Sequence, residues 1–102
     1  MLRLPRFDFV APTTVADALA ARAQLGRDAA YVAGGTDLYP NMKRRQQTPR
    51  AVISLAAIPD LRDINGSPET GLRIGAGVTL ARLAADPVVN RHYPAVARAA
   101  AL

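Results

Sequence analysis

The sequence contains no cysteine and no tryptophan, and its aromatic side chains are three Tyr and two Phe. Without cysteine there is no disulfide framework and no thiolate-ligated metal. Nothing in the chain calls for an oxidising compartment. Histidine occurs once, at position 92, and lysine once, at position 43. No run of about 18 apolar residues exists, so no membrane-spanning helix is expected. The opening stretch Met1-Leu2-Arg3-Leu4-Pro5-Arg6 has no long apolar run behind its charges, which argues against a secretory signal. The expected location is therefore cytoplasmic. Large apolar side chains are also scarce. Half of the 102 residues count as hydrophobic, but 21 of them are Ala. A chain of this size hides roughly 60–70% of its unfolded surface, so its core is thin and its Ala content favours helices.

Thirteen Lys and Arg stand against eight Asp and Glu, a net charge of +5. The basic residues are spread along the chain, and the one cluster is Lys43-Arg44-Arg45, extended loosely to Arg50. Charge alone is a weak argument for nucleic acid, and no nucleic-acid partner is expected.

The order of signals predicts strands alternating with helices, an α/β (α+β) arrangement. Phe7-Asp8-Phe9-Val10 alternates and stops at Pro12, a short extended segment. Thr13 and Thr14 precede a helix that carries Asp17 in its first turn, turns Val15, Ala18 and Leu19 inward and ends at Gly26. Ala29 to Ala33 reads as a buried strand, Gly34-Gly35-Thr36-Asp37 as a tight turn, and Leu38 to Arg45 as a helix. Pro40 fits that helix only in its first turn, so the start falls at Thr36 or Asp37. Ala51-Val52-Ile53-Ser54-Leu55 is the next strand, and Ile58-Pro59-Asp60-Leu61 a turn. Asp63 to Gly66 and Gly71 to Gly75 read as a hairpin with a long tip. Three helices follow, opened by Thr79, by Asp86-Pro87 and by Pro94. The last has no stop signal, so the chain is expected to be a piece of something longer.

The segment with most chemical content is Val32-Ala33-Gly34-Gly35-Thr36-Asp37-Leu38. Two glycines permit positive φ and a close backbone approach, and outward-pointing amides suit a phosphate or pyrophosphate. Thr36 could add a hydroxyl donor. Asp37 would repel a phosphate, so its carboxylate is expected to cap local amides on the far side. The same residues also fit a plain strand-to-helix connection. The motif is neither a Walker loop nor the G-x-G-x-x-G fingerprint. Asp60 with Asp63 reads as turn capping, and His92 as a surface residue with no partner for catalysis.

Taken together, four segments carry a family resemblance. Val32 to Lys43 resembles the first FAD-binding segment of the molybdenum hydroxylase (xanthine dehydrogenase) flavoproteins. Phe7 to Thr14 resembles their opening, Ala51 to Leu61 their strand followed by I-x-x-L, and Leu72 to Leu80 their IGAGVTL turn. The likeness runs over essentially the whole chain in order. It is strongest to the medium subunits of 4-hydroxybenzoyl-CoA reductase, through Tyr39 to Arg45, and of carbon monoxide dehydrogenase.

The resemblance implies the N-terminal subdomain of a PCMH-type FAD-binding domain, with a small, mainly parallel three-stranded sheet flanked by helices. It implies that residues 1–102 form that one subdomain and stop before the second flavin motif. It places Val32, Ala33, Gly34, Gly35, Thr36, Asp37 and Leu38 against FAD, mostly through backbone amides. It implies that position 35 is often Asn or another small residue in relatives, so that Gly here keeps the amide and loses only a side chain. Gly75-Ala76-Gly77 is either a second approach to the cofactor or a turn ahead of a capped helix. The resemblance further implies an electron-transferring oxidoreductase component. An iron–sulfur small subunit and a molybdenum large subunit would be its partners, with NAD or another carrier outside the complex. No catalytic residue and no metal ligand is expected on this chain. Two rivals stand beside this reading: a non-redox module for a phosphorylated ligand or nucleic acid, and an inactive fragment.

Overall fold

The computed structural model describes residues 3–102; Met1 and Leu2, which open the stretch read as lacking the apolar run of a secretory signal, lie outside the described residues. The chain divides into two compact units, Met1–Pro59 and Asp60–Leu102.

The first unit is built on three short strands, β1 (Asp8–Val10), β2 (Ala29–Val32) and β3 (Ala51–Ser54). They form a parallel sheet in the order β1-β3-β2. The last strand in sequence therefore occupies the centre, and all four of its residues are buried. This is why Ala51-Val52-Ile53 reads as a continuous apolar run rather than an alternating one. The register sets Phe9 beside Val52 and Val52 beside Ala30.

Two helices complete the unit, α1 (Val15–Leu25) and α2 (Leu38–Lys43). The path from β1 to β2 crosses the sheet in one direction and the path from β2 to β3 returns. Right-handed crossovers then put the two helices on opposite faces. Met42 of α2 is fully buried against Val32 and Val52, with Phe7, Leu38 and Tyr39 packed around them. Side-chain alternation turns Ala29, Ala51 and Ile53 to the other face, the one left for α1, which packs on β2 and β3.

Helix α1 starts as its residues dictate. The Thr14 hydroxyl accepts a hydrogen bond from the Asp17 amide at 3.0 Å, and Gly26 ends the helix with φ +77°. Its inward face is narrower than the apolar spacing predicts. Ala18 is buried, but Val15 and Leu19 are exposed, Leu19 to 61%. Strands of three and four residues cover little of a helix, so one small side chain fills the contact.

The second unit pairs β4 (Ile64–Ser67) with β5 (Gly71–Ile74) as an antiparallel hairpin. Helices α3 (Leu80–Ala85), α4 (Pro87–His92) and α5 (Pro94–Ala101) follow. Their core is Leu83, Val89 and Ala97, and Ile64 and Leu72 of the hairpin pack on it. Thr79 caps α3 by accepting from the Arg82 amide. Asp86 caps α4 by accepting from the amides of Val88 and Val89, both at 3.0 Å, with Pro87 at the first helical position. The Tyr93 hydroxyl donates to the Ser67 carbonyl at 2.9 Å and ties the helices to the hairpin.

Candidate functional site

The turn between β2 and α2 is held at both ends by the same core. Val32 closes β2 and is buried, Leu38 opens α2, and the side chains of both pack with Met42. Between them Ala33, Gly34, Thr36 and Asp37 are exposed and Gly35 is half-buried. A short loop pinned at both ends by packed side chains has little freedom to move.

Gly35 carries the conformational demand of this loop. Its φ is +77°, in the left-handed region. A Cβ built on it would overlap the ring of Tyr39, whose amide donates to the Gly35 carbonyl at 3.2 Å. The Tyr39 ring itself rests 6.5 Å from Phe7. A side chain at position 35 is therefore not interchangeable with glycine: the ring would have to move. Gly34 differs. Its φ is not positive, and a Cβ there would meet nothing within 4 Å. The glycine leaves open space on the solvent side of the turn.

The amides explain what that space is suited for. Among the described residues, the backbone N–H groups from Ala33 to Leu38 donate to no protein acceptor. Six consecutive free donors line a stretch that turns sharply, an arrangement that attracts anions. The Thr36 hydroxyl has no protein partner either. Asp37 occupies the N-cap position of α2, but its side chain makes no capping hydrogen bond, contrary to expectation. Its φ and ψ of −108° and −49° are helical, so the carboxylate does not sit as an extended-backbone cap does.

An open groove of about 360 Å³ runs along this turn. Its lining includes all seven residues singled out in the sequence, together with Ala30, Tyr31 and Gln47. Val32 is buried in the core and Leu38 is half-buried against it. Gln47 was not foreseen. It lies nine residues beyond Leu38, and no motif marks it.

The basic cluster is largely structural. The Arg45 guanidinium donates to the carbonyls of Arg3, Met42 and Lys43 at 2.7, 3.1 and 3.3 Å. Arg50 faces Asp28 at 3.9 Å across an exposed pair worth about 0–1 kcal/mol. Lys43 and Arg44 point to solvent.

The other candidate positions have local roles. Gly77 donates to the Leu61 carbonyl at 2.7 Å, and Gly75 to the Asp63 carbonyl at 2.9 Å. A Cβ on Gly75 would overlap that Leu61 carbonyl. Close approach of backbone to backbone thus accounts for the Gly75-Ala76-Gly77 turn. His92 is exposed at the end of α4. Asp60 and Asp63 are exposed. Among the described residues no helix is long and apolar enough to cross a membrane.

The family described as "FAD binding domain in molybdopterin dehydrogenase" matches residues 5–102. The chain is 41% identical over 98 residues to the carbon monoxide dehydrogenase medium chain of Hydrogenophaga pseudoflava, covering 96% of this chain and 34% of that one. It is 32% identical over 97 residues to the xanthine dehydrogenase FAD-binding subunit of Escherichia coli O157:H7, covering 92% and 33%. The solved structure of reconstituted CO dehydrogenase from Oligotropha carboxidovorans superposes with a TM-score of 0.90 at 33% identity, covering 98% of this chain and 35% of that one. The chain belongs to this family of FAD-binding domains of molybdopterin dehydrogenases. It spans about a third of the length of these relatives. The small parallel sheet with its flanking helices is the family's fold.

Proposed function

We propose that this chain forms the N-terminal subdomain of an FAD-binding electron-transfer component and holds the FAD pyrophosphate on the turn from Ala33 to Leu38. The observation that carries the reading is the row of unpaired amides along the groove. A dianionic pyrophosphate needs several donors at once, and backbone N–H groups supply them without a cationic side chain. The open space at Gly34 lets phosphate oxygens approach the main chain. The residues present fit the group on both counts.

The division of labour follows from the residues. Val32 and Leu38 anchor the ends of the turn, Gly35 sets its bend, and the Thr36 hydroxyl adds a donor. Asp37 lines the groove with its backbone, while its carboxylate belongs away from the phosphates. Bound FAD supplies the redox chemistry; the protein positions and shields it. The relatives are named as chains of carbon monoxide and xanthine dehydrogenases. By extension, the partners of this chain are an iron–sulfur subunit and a molybdenum subunit, with NAD or another carrier as the outside electron partner.

The test is a titration of the chain with FAD and FMN, read by quenching of flavin fluorescence at low and high salt. FMN lacks the adenylate and the second phosphate. FAD is expected to saturate at least tenfold below FMN, a preference of about 1.4 kcal/mol, with weak dependence on salt. Equal binding of FAD and FMN contradicts the reading. Steep salt dependence without a flavin preference favours a general phosphate or nucleic-acid surface instead.

A further inference from the structure

We propose that Gln47 is a specificity residue of the same groove, whose side-chain amide donates to the phosphates of the bound dinucleotide. The proposal rests on the FAD reading above and adds a side chain to a site otherwise made of backbone.

Gln47 reaches the groove through a reversal of the chain. Helix α2 ends at Lys43, and Arg45 takes φ +62°, a left-handed conformation in a residue that is not glycine. Such a position is costly and persists only when its surroundings hold it. Here the Arg45 guanidinium clamps the carbonyls of Met42 and Lys43. The amides of Gln46 and Gln47 then both donate back to the Asn41 carbonyl, at 2.9 and 3.3 Å. The returning chain places Gln47 in the lining of the groove, together with the turn that carries the free amides.

The orientation of the side chain follows from one hydrogen bond. Asn41 Nδ2 donates to Gln47 Oε1 at 3.2 Å. With its oxygen engaged by Asn41, the remaining polar group of Gln47 is Nε2, a donor of two hydrogens. No protein acceptor among the described residues takes either. The lining of the groove thus combines the free main-chain amides of Ala33 to Leu38 with a side-chain amide donor. These donors suit an anionic ligand. Asn41 is a positioning residue: it engages Gln47 Oε1 and leaves Nε2 free to donate.

The expected results separate this role from folding. Gln47→Glu keeps the shape, removes the donor and adds a negative charge. It should weaken FAD binding at least tenfold at low salt, with a smaller loss at high salt. Gln47→Ala and Asn41→Ala should each weaken it two- to fivefold. Binding of riboflavin, which has no phosphate, should be unchanged in all three, and so should the thermal melt. Wild-type affinity for FAD in Gln47→Glu, alongside loss of binding in Gly35→Val, overturns the role of Gln47 and leaves the FAD reading standing. Absence of FAD binding by the wild-type chain overturns both. An equal loss of FAD and riboflavin in Gln47→Glu shows a structural role and overturns the proposal.

Discussion

Gly35→Val is expected to abolish FAD binding while the rest of the chain stays folded. Two costs meet at this residue. Its φ of +77° is a conformation that a β-branched side chain avoids, at about 1–3 kcal/mol. The added carbons also overlap the ring of Tyr39, which is wedged against Phe7 and the Met42 core. The turn can relieve both only by rotating its peptides. That rotation turns the free amides out of the groove. A cost of about 3 kcal/mol corresponds to roughly a hundredfold loss of affinity. Gly34→Ala is the partner experiment. Position 34 has ordinary φ and open space around its Cβ, so folding should be unaffected. Any loss of FAD binding in Gly34→Ala then reports the ligand filling that space. If Gly35→Val binds FAD as the wild type does, the cofactor lies elsewhere.

Met42→Ala should cause the largest loss of stability of any single truncation in the first unit. Met42 is fully buried and touches both Val32 and Val52. Its removal leaves a cavity beneath α2, at a cost of about 2–5 kcal/mol. Small domains have only about 5–15 kcal/mol in total, so the variant should unfold at markedly lower urea. The effect should reach the site as well. Val32 and Leu38, the two anchors of the turn, lean on the same methionine. FAD affinity should therefore fall together with stability. A urea midpoint within error of the wild type would show that the core is not centred on Met42.

Much of the architecture was legible because the chain carries its own punctuation. Thr14, Gly26, Thr79 and Asp86-Pro87 act locally, through the first or last turn of a helix, and each does so here. The apolar runs Ala29–Ala33 and Ala51–Leu55 mark the two strands, which end one residue earlier, at Val32 and Ser54. What was not legible depends on contacts distant in sequence. Helical spacing marks Leu19 as inward, but how much of α1 a three-stranded sheet can cover is a property of the sheet. Asp37 has the right identity for a cap and the wrong backbone angles.

The site divides in the same way. The glycine turn is visible as a motif, and the seven residues around it share one groove. Gln47 is invisible, because it arrives by a left-handed residue, Arg45, that no glycine announces. The glycines of the Gly75-Ala76-Gly77 turn bring backbone against the Leu61 carbonyl, a contact distant in sequence.

Main-chain amides from Ala33 to Leu38 are proposed to hold the pyrophosphate. The most direct measurement is a set of ¹⁵N–¹H amide spectra of the chain titrated with FAD, ADP and riboflavin. FAD and ADP, which share the pyrophosphate, are expected to shift the same amides between positions 33 and 38. Riboflavin should leave them in place. Shifts confined to other segments, or produced equally by riboflavin, would contradict it.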